Sequence, residues 1–402
     1  MGIAKSSPGV RSMAAHIPTP AEMIARAQSL VGRLRERSQR CEELRRCPEE
    51  TIDDFAASGI LAICRPARFG GYELGWDVVC QVGQTLARGC AAQAWVANIF
   101  SDHNQLLASF DPRAQEDVWG ANPNARICAS IEPAGQARPV PGGVIFSGRH
   151  RYLSGIDHAT WAICGGFLRV DGQPPQRCFF LLPRAAGTLI DDWQVVGLSG
   201  TGSKSLELKD VFVPAHRVVD ADAADSGASP ALDSHSAAVF RMPRMPIVAT
   251  GFAALAVGVG DAMLEQYQKV MQTPRSSSTG FAMPHMGTEM TAGVAAAELT
   301  AAGLAYLNPL RAALEPVERG EMPSTDQRLR VRVNSAFAVQ LALAAAQRLF
   351  NGAGGRVLFS NNPMQRQMRD LYAIAAHRAL NWDAATAAYG SHLLATASEK
   401  TS

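Results

Sequence analysis

Four pieces of one stretch decide the fold: Ile127-Cys-Ala-Ser-Ile-Glu-Pro-Ala-Gly135, Phe146-Ser-Gly-Arg-His-Arg-Tyr-Leu-Ser-Gly155, Val196-Gly-Leu-Ser-Gly-Thr-Gly-Ser-Lys204 and Asp210-Val-Phe-Val-Pro214. Across this stretch Val144, Phe146, Trp161, Ile163, Phe179, Phe180 and Leu181 stand between Gly and Pro punctuation. β-Branched, aromatic and aliphatic residues so spaced form short strands, and Gly142-Gly143 supplies a turn between two of them. Ala-rich tracts of helical periodicity lie on both sides. An all-β island inside a helical chain predicts a sheet module clasped by helices, with a cleft where they meet.

Working outward gives an α+β chain in three parts. Residues 1–17 read as a flexible leader, 18–125 as an N-terminal helical domain and 126–219 as the central β-sheet or barrel domain. The small polar run 220–238 reads as a surface loop, and 239–402 as a C-terminal four-helix bundle. Helices are expected at 20–46, 49–58, 76–88, 91–107, 246–271, 290–318, 326–350 and 363–396. Alanine is dense at 292–302 and 336–346, which suits close helix packing within and between subunits.

Composition removes several classes of function. The 38 Lys and Arg against 36 Asp and Glu leave a net charge of +2, which offers nothing to a polyanion. The basic cluster 33–46 is interleaved with Glu36, Glu42 and Glu43, the pattern of a solvated helix face, so no nucleic-acid partner is expected. None of the eight cysteines forms a Cys-x-x-Cys pair or stands at zinc spacing with histidine, so they read as reduced core residues with no metal. The apolar run 245–260 is too short for a bilayer and ends at Asp261. A cytoplasmic chain with no membrane partner is the expectation. No Gly-x-Gly-x-x-Gly opens a helix after a strand, so nicotinamide electrons would come from outside.

The order of these pieces resembles the acyl-CoA dehydrogenase superfamily, and within it the flavin-dependent monooxygenase branch, from about residue 18 to 394. Cys128–Pro133 resembles the first flavin-contacting strand, and Tyr152-Leu-Ser154 the aromatic-x-hydroxyl triplet against the isoalloxazine. Gly200-Thr-Gly-Ser203 before Asp210-Val-Phe-Val-Pro214 is similar to the monooxygenase branch. The resemblance implies that Ser130 and Ser154 meet the flavin, Ser154 at N5, with Gly155 beside it and Tyr152 on the ring face. It puts Arg275 where the superfamily has a phosphate-binding Arg, although the Phe that follows it there is absent. Leu349-Phe-Asn-Gly-Ala-Gly-Gly355 resembles the Gly-rich turn whose amides approach the cofactor, which implicates Gly354 and Gly355.

The last helix separates the possible chemistries. Where acyl-CoA dehydrogenases carry a glutamate base after an Arg-Asp pair, the sequence Arg369-Asp-Leu-Tyr-Ala-Ile-Ala-Ala-His-Arg378 has no carboxylate and puts His377 in its place. The alternative site for an acid, 246–252, also lacks one, which counts against α,β-dehydrogenation. By resemblance His377 manages a proton at a C4a-hydroperoxyflavin, and His103 faces the substrate and deprotonates a phenol. The implied activity is that of the oxygenase component of a two-component aromatic hydroxylase. It would take reduced FMN (FAD possible) from a separate NAD(P)H:flavin reductase, use O2, and assemble as a homotetramer. The rivals are S- or N-oxidation in the same fold, an acyl-CoA dehydrogenase, and a non-catalytic flavin binder.

Overall fold

The computed structural model describes residues 16–272 and 285–399. Its N-terminal part is α1 (Pro20–Glu36), α2 (Ser38–Leu44), α3 (Glu49–Ser58), α4 (Trp76–Ala87), α5 (Ala91–Leu107) and α6 (Pro112–Gln115). Thr19 caps α1 through a capping box with Glu22, and Pro20 stands at its first position, which fixes this start. The single helix expected over 20–46 is instead two, parted at Arg37.

The sheet comprises β1 (Ile127–Val140), β2 (Gly143–Leu153), β3 (Trp161–Leu168), β4 (Gln176–Pro183), β5 (Thr188–Ile190), β6 (Lys204–Pro214) and β7 (Val218–Asp220). Its order is β5-β6-β2-β1-β3-β4-β7, an open sheet, antiparallel except where β1 runs parallel to β3. Along β2 the period of two is plain: Val144, Phe146 and His150 are buried while Arg149 and Arg151 are exposed. Two irregularities shape the cleft. The β1–β3 register shifts between Ser130 and Gly135. A Cβ at Gly165 would lie 2.5 Å from the Ile131 carbonyl, so only glycine lets β3 pass under this bulge. The β2–β6 register shifts between His150 and Leu153, and Tyr152 takes φ 63°. Alternation along the sequence puts His150 on the face of Tyr152, but the bulge separates them: His150 is core and Tyr152 is 61% exposed.

The segment 220–238, expected as a surface loop, is packed. It forms α7 (Ala221–Ser226), capped by the Asp220 carboxylate, and then turns in which Leu232 is buried and Ser229 donates to the Ser109 carbonyl. Its aspartates 222 and 225 pair with Arg177, so the acidic composition serves internal ion pairs.

The C-terminal part is α8 (Arg244–Gln272), α9 (His285–Glu318), α10 (Thr325–Ala353), α11 (Pro363–Ala375) and α12 (Trp382–Glu399). Helices α8, α9 and α10 pack on one another, α11 packs on α8, and α12 on α10. Among the described residues two helices are long and apolar enough to cross a membrane by length and composition, α8 and Gly287–Glu318. The α8 span is 83% buried inside the fold, as a core helix is; the other is 22% buried and exposes Met290, Val294 and Leu304. Every residue of α5 is buried, its polar ones included, which makes it the axle between sheet and bundle. Gln93, Asn104 and Gln105 survive there by donating to the carbonyls of Leu34, Leu61 and Met242. All eight cysteines are free and buried.

Candidate active site

Where α5, the bulged ends of β1 and β2, the N-terminal half of α8 and the end of α11 converge, they leave a cavity of about 590 Å³. Its aromatic wall is set by α5 and α8: Trp95 stacks on Phe252 with centroids 4.1 Å apart and planes at 9°. The His377 ring lies 4.3 Å from Phe252 and 5.8 Å from Trp95.

His377 reaches the cavity because the helix expected over 363–396 breaks. Helix α11 ends at Ala375, and His377 caps a short 3-10 turn (Arg378–Leu380), its Nδ1 accepting the Ala379 N–H at 3.2 Å. That bond puts the proton of the neutral ring on Nε2. Burial, aided by Arg378, pushes its pKa down to about 4, so at neutral pH the ring is an N–H donor and not a store of charge.

His103 is set the opposite way. Its Nδ1 donates to the Ile127 carbonyl at 2.8 Å, which leaves the Nε2 lone pair free and 3.8 Å from an Asp102 oxygen. Burial holds its pKa below the ordinary value, while the Asp102 carboxylate opposes that shift. Asp102 is clamped by both terminal nitrogens of Arg244 at 2.9 and 3.0 Å, and both side chains are almost wholly buried. A neutral acceptor whose protonated form meets a fixed carboxylate is the arrangement of a general base.

On the sheet side Ser130, Tyr152 and Ser154 all line the cavity. Trp95 Nε1 donates to Ser154 Oγ at 3.0 Å, Ser154 and Ser203 hydroxyls lie 2.7 Å apart, Ser203 and Thr201 again 2.7 Å, and Thr201 donates to the Leu198 carbonyl at 2.8 Å. The cavity carboxylates are both engaged, Asp102 by Arg244 and Glu132 by Arg378 at the rim at 3.1 Å. Nothing here offers a free carboxylate to abstract an α-proton. Arg151 stands exposed at the rim with no carboxylate partner among the described residues.

Not every implied residue belongs to this cavity. Gly155 does not line it: at φ 74°, with a Cβ position 2.8 Å from Phe100, it is the turn that seats β2 on α5. Gly354 and Gly355 lie exposed beyond the end of α10, outside the cavity of their own chain. Arg275 lies outside the described residues. Sequence reading missed Trp95, Phe252 and the Asp102–Arg244 clamp. It noted Thr201 and Ser203 only as part of a motif. Among the described residues no group of three or more His, Cys, Asp or Glu is placed to hold a metal.

A flat aromatic wall, hydroxyls on the facing strands and a free arginine at the mouth are what a flavin site requires, and the volume suits a ring system with a second small molecule. Residues 250–382 match the family described as acyl-CoA dehydrogenase, C-terminal domain. The oxygenase subunit HsaA of a flavin-dependent monooxygenase from Rhodococcus jostii (strain RHA1) is 32% identical over 369 residues, 91% of this chain and 96% of that one. The oxygenase component of the FADH(2)-dependent resorcinol hydroxylase from Rhizobium sp. is 32% identical over 400 residues, covering 94% and 97%. A solved structure of XiaF from Streptomyces sp. in complex with FADH2 and glycerol superposes with a TM-score of 0.88 at 26% identity, covering 96% of this chain and 97% of that one. The chain belongs to the flavin-dependent monooxygenase branch of the acyl-CoA dehydrogenase superfamily. It is thus an oxidoreductase built on an acyl-CoA dehydrogenase-like fold.

Proposed function

We propose that this chain is the oxygenase component of a two-component system that hydroxylates a phenolic or polycyclic aromatic substrate. A separate NAD(P)H:flavin reductase supplies reduced FMN, or reduced FAD, and O2 is the co-substrate. The observation that carries the reading is His103, whose free Nε2 and neighbouring Asp102 make it a base for a phenolic hydroxyl. The flavin names borne by the relatives support the cofactor, and resorcinol, a phenol, supports the substrate class.

When bound, the reduced flavin supplies the two electrons that activate O2, so that one oxygen atom enters the ring and the other leaves as water. Trp95, Phe252 and Tyr152 would bound the ring's faces, Ser130 and Ser154 would meet its polar edge, and Arg151 would be the cation at the phosphate end. His103 takes the substrate's phenolic proton at Nε2 and so raises electron density at the ortho carbon. His377 would offer its Nε2–H as a donor into the cavity during oxygen transfer, and the aromatic wall would keep water out. The exposed apolar residues of α9 support assembly as a homotetramer, in which Gly354 and Gly355 serve a neighbouring subunit's cofactor.

The test is His103→Ala with chemically reduced flavin, ¹⁸O2 and a panel of phenols. Loss of a general base costs about 10²–10⁴-fold, so labelled product falls by that factor at pH 7 while flavin reoxidation continues. Rate returns as pH nears a phenol's own pKa of about 10. Undiminished labelling, independent of pH, would defeat the phenol reading and turn the search to sulfur or nitrogen acceptors.

A further inference from the structure

The hydroxyls behind Ser154 form a chain whose direction is fixed at both ends. The Leu198 carbonyl can only accept, so the single proton of Thr201 is spent on it at 2.8 Å. Between Thr201 and Ser203, 2.7 Å apart, the shared proton must then be that of Ser203. Between Ser203 and Ser154, again 2.7 Å, it must be that of Ser154. At the other end the Trp95 indole can only donate, and it occupies one lone pair of Ser154 at 3.0 Å. Ser154 therefore turns toward the cavity with no proton left to give and one lone pair left to fill. Thr201, Ser203 and Ser154 are all buried, so the order is set by these two fixed ends.

We infer that Thr201 and Ser203 are positioning residues that make Ser154 a pure acceptor, so the site selects the reduced flavin over the oxidised one. This rests on the reading that the N5 edge of the ring meets Ser154. Reduced flavin carries a proton on N5 and donates it to that lone pair. Oxidised flavin carries a lone pair there, and two acceptors face each other in a dry site. A buried acceptor left unmatched makes a difference of about tenfold or more in affinity. For a two-electron couple tenfold tighter binding of the reduced form raises the midpoint potential of the bound flavin by about 30 mV. The release of oxidised flavin after turnover follows from the same geometry.

The experiment measures dissociation constants of oxidised FMN, and of reduced FMN under anaerobic conditions, with the midpoint potential of the bound flavin as a second readout. Wild type binds the reduced form at least tenfold more tightly. Ser203→Ala frees the Ser154 proton to swing into the cavity, so oxidised FMN binds about tenfold more tightly and the potential falls by about 30 mV. Thr201→Val, which leaves the Ser203 proton free to turn back, moves both readouts the same way, and Thr201→Ser restores them. Circular dichroism of each variant confirms the fold. A wild-type preference near one, or a preference unchanged in both disrupted variants, overturns the inference. Ser154→Ala that leaves both affinities at wild-type values would instead overturn the placement of the ring itself.

Discussion

Replacing Arg244 with methionine tests how the base is held. Arg244 grips Asp102 through two bonds of 2.9 and 3.0 Å, and their side chains are 3% and 5% exposed. Its remaining polar contacts are Gln105 at 3.2 Å and, more distantly, Asp225 at 3.6 Å. Truncating one partner of a buried pair strands the other charge, which costs about 3–5 kcal/mol. With an unfolding entropy of about 2.1 cal/mol/K per residue, a 402-residue chain loses about 1.2 °C of Tm per kcal/mol, so Tm should fall by about 4–6 °C. The partner change Asp102→Leu should be similarly costly alone. The double variant should recover most of the loss, a coupling of about 2 kcal/mol or more in a double-mutant cycle. Arg244 also holds the pKa of His103 down while Asp102 pulls it up. Its loss should therefore move the acid limb of the hydroxylation pH profile to higher pH. Calorimetry and initial rates between pH 5 and 9 check both. A Tm loss under about 1 °C, strictly additive variants, or an acid limb displaced downward would refute the clamp.

Three further outcomes follow from named contacts. Burial pushes His150, His235 and His377 to about 4, below the unfolded value of about 6.5. The unfolded chain alone binds these protons in that window, so stability is full above pH 6.5 and is lost as pH falls toward 4; Tm measured at half-unit steps should show it. Asp370, raised to about 6 by burial, acts in the opposite sense there. A Cβ at Gly197 would lie 2.2 Å from the Arg369 carbonyl, so Gly197→Ala should cost about 1–3 kcal/mol and weaken flavin binding by lifting the 193–203 loop from α11. Glu132→Gln removes an exposed pair with Arg378 and should change stability by less than about 1 kcal/mol by thermal melt.

The sheet module and its helical flanks were legible because Gly and Pro punctuate the strands and the strand residues are β-branched and aromatic. The sequence also showed that an acid was missing and that a histidine stood near its place. What it could not show is the break that delivers that histidine. Ala375-Ala-His-Arg-Ala-Leu carries no Gly or Pro, so periodicity runs straight through. The stop is a tertiary effect, with Asp370 accepting the Leu198 N–H at 2.7 Å and Gly197 packed on the Arg369 carbonyl, which tie α11 to the 193–203 loop. Trp95 and Phe252 were hidden for a different reason. On an all-buried helix a cavity wall and a core residue have the same pattern, and only packing tells them apart. The small polar run 220–238 misled because its aspartates are satisfied within the fold, Asp222 and Asp225 by Arg177, Asp233 by Arg241 and Asp220 by the Ala223 N–H. The hydroxyl chain needed Leu198 in a left-handed conformation, φ 54°, to present its carbonyl, and no composition rule anticipates that.

The way the sheet is inserted between two sets of helices bears on how the chain is made. Trp76 in α4 donates to the Ile247 carbonyl in α8 across 171 positions, and Leu198 reaches Asp370 across 172. During synthesis α5 must therefore wait, apolar and unpartnered, until the whole sheet and then α8 have left the ribosome, and α8 in turn waits for α10. Such a nascent chain exposes sticky helices for most of its translation time. Its yield should depend on chaperone supply and on growth temperature more steeply than the stability of the finished fold would suggest.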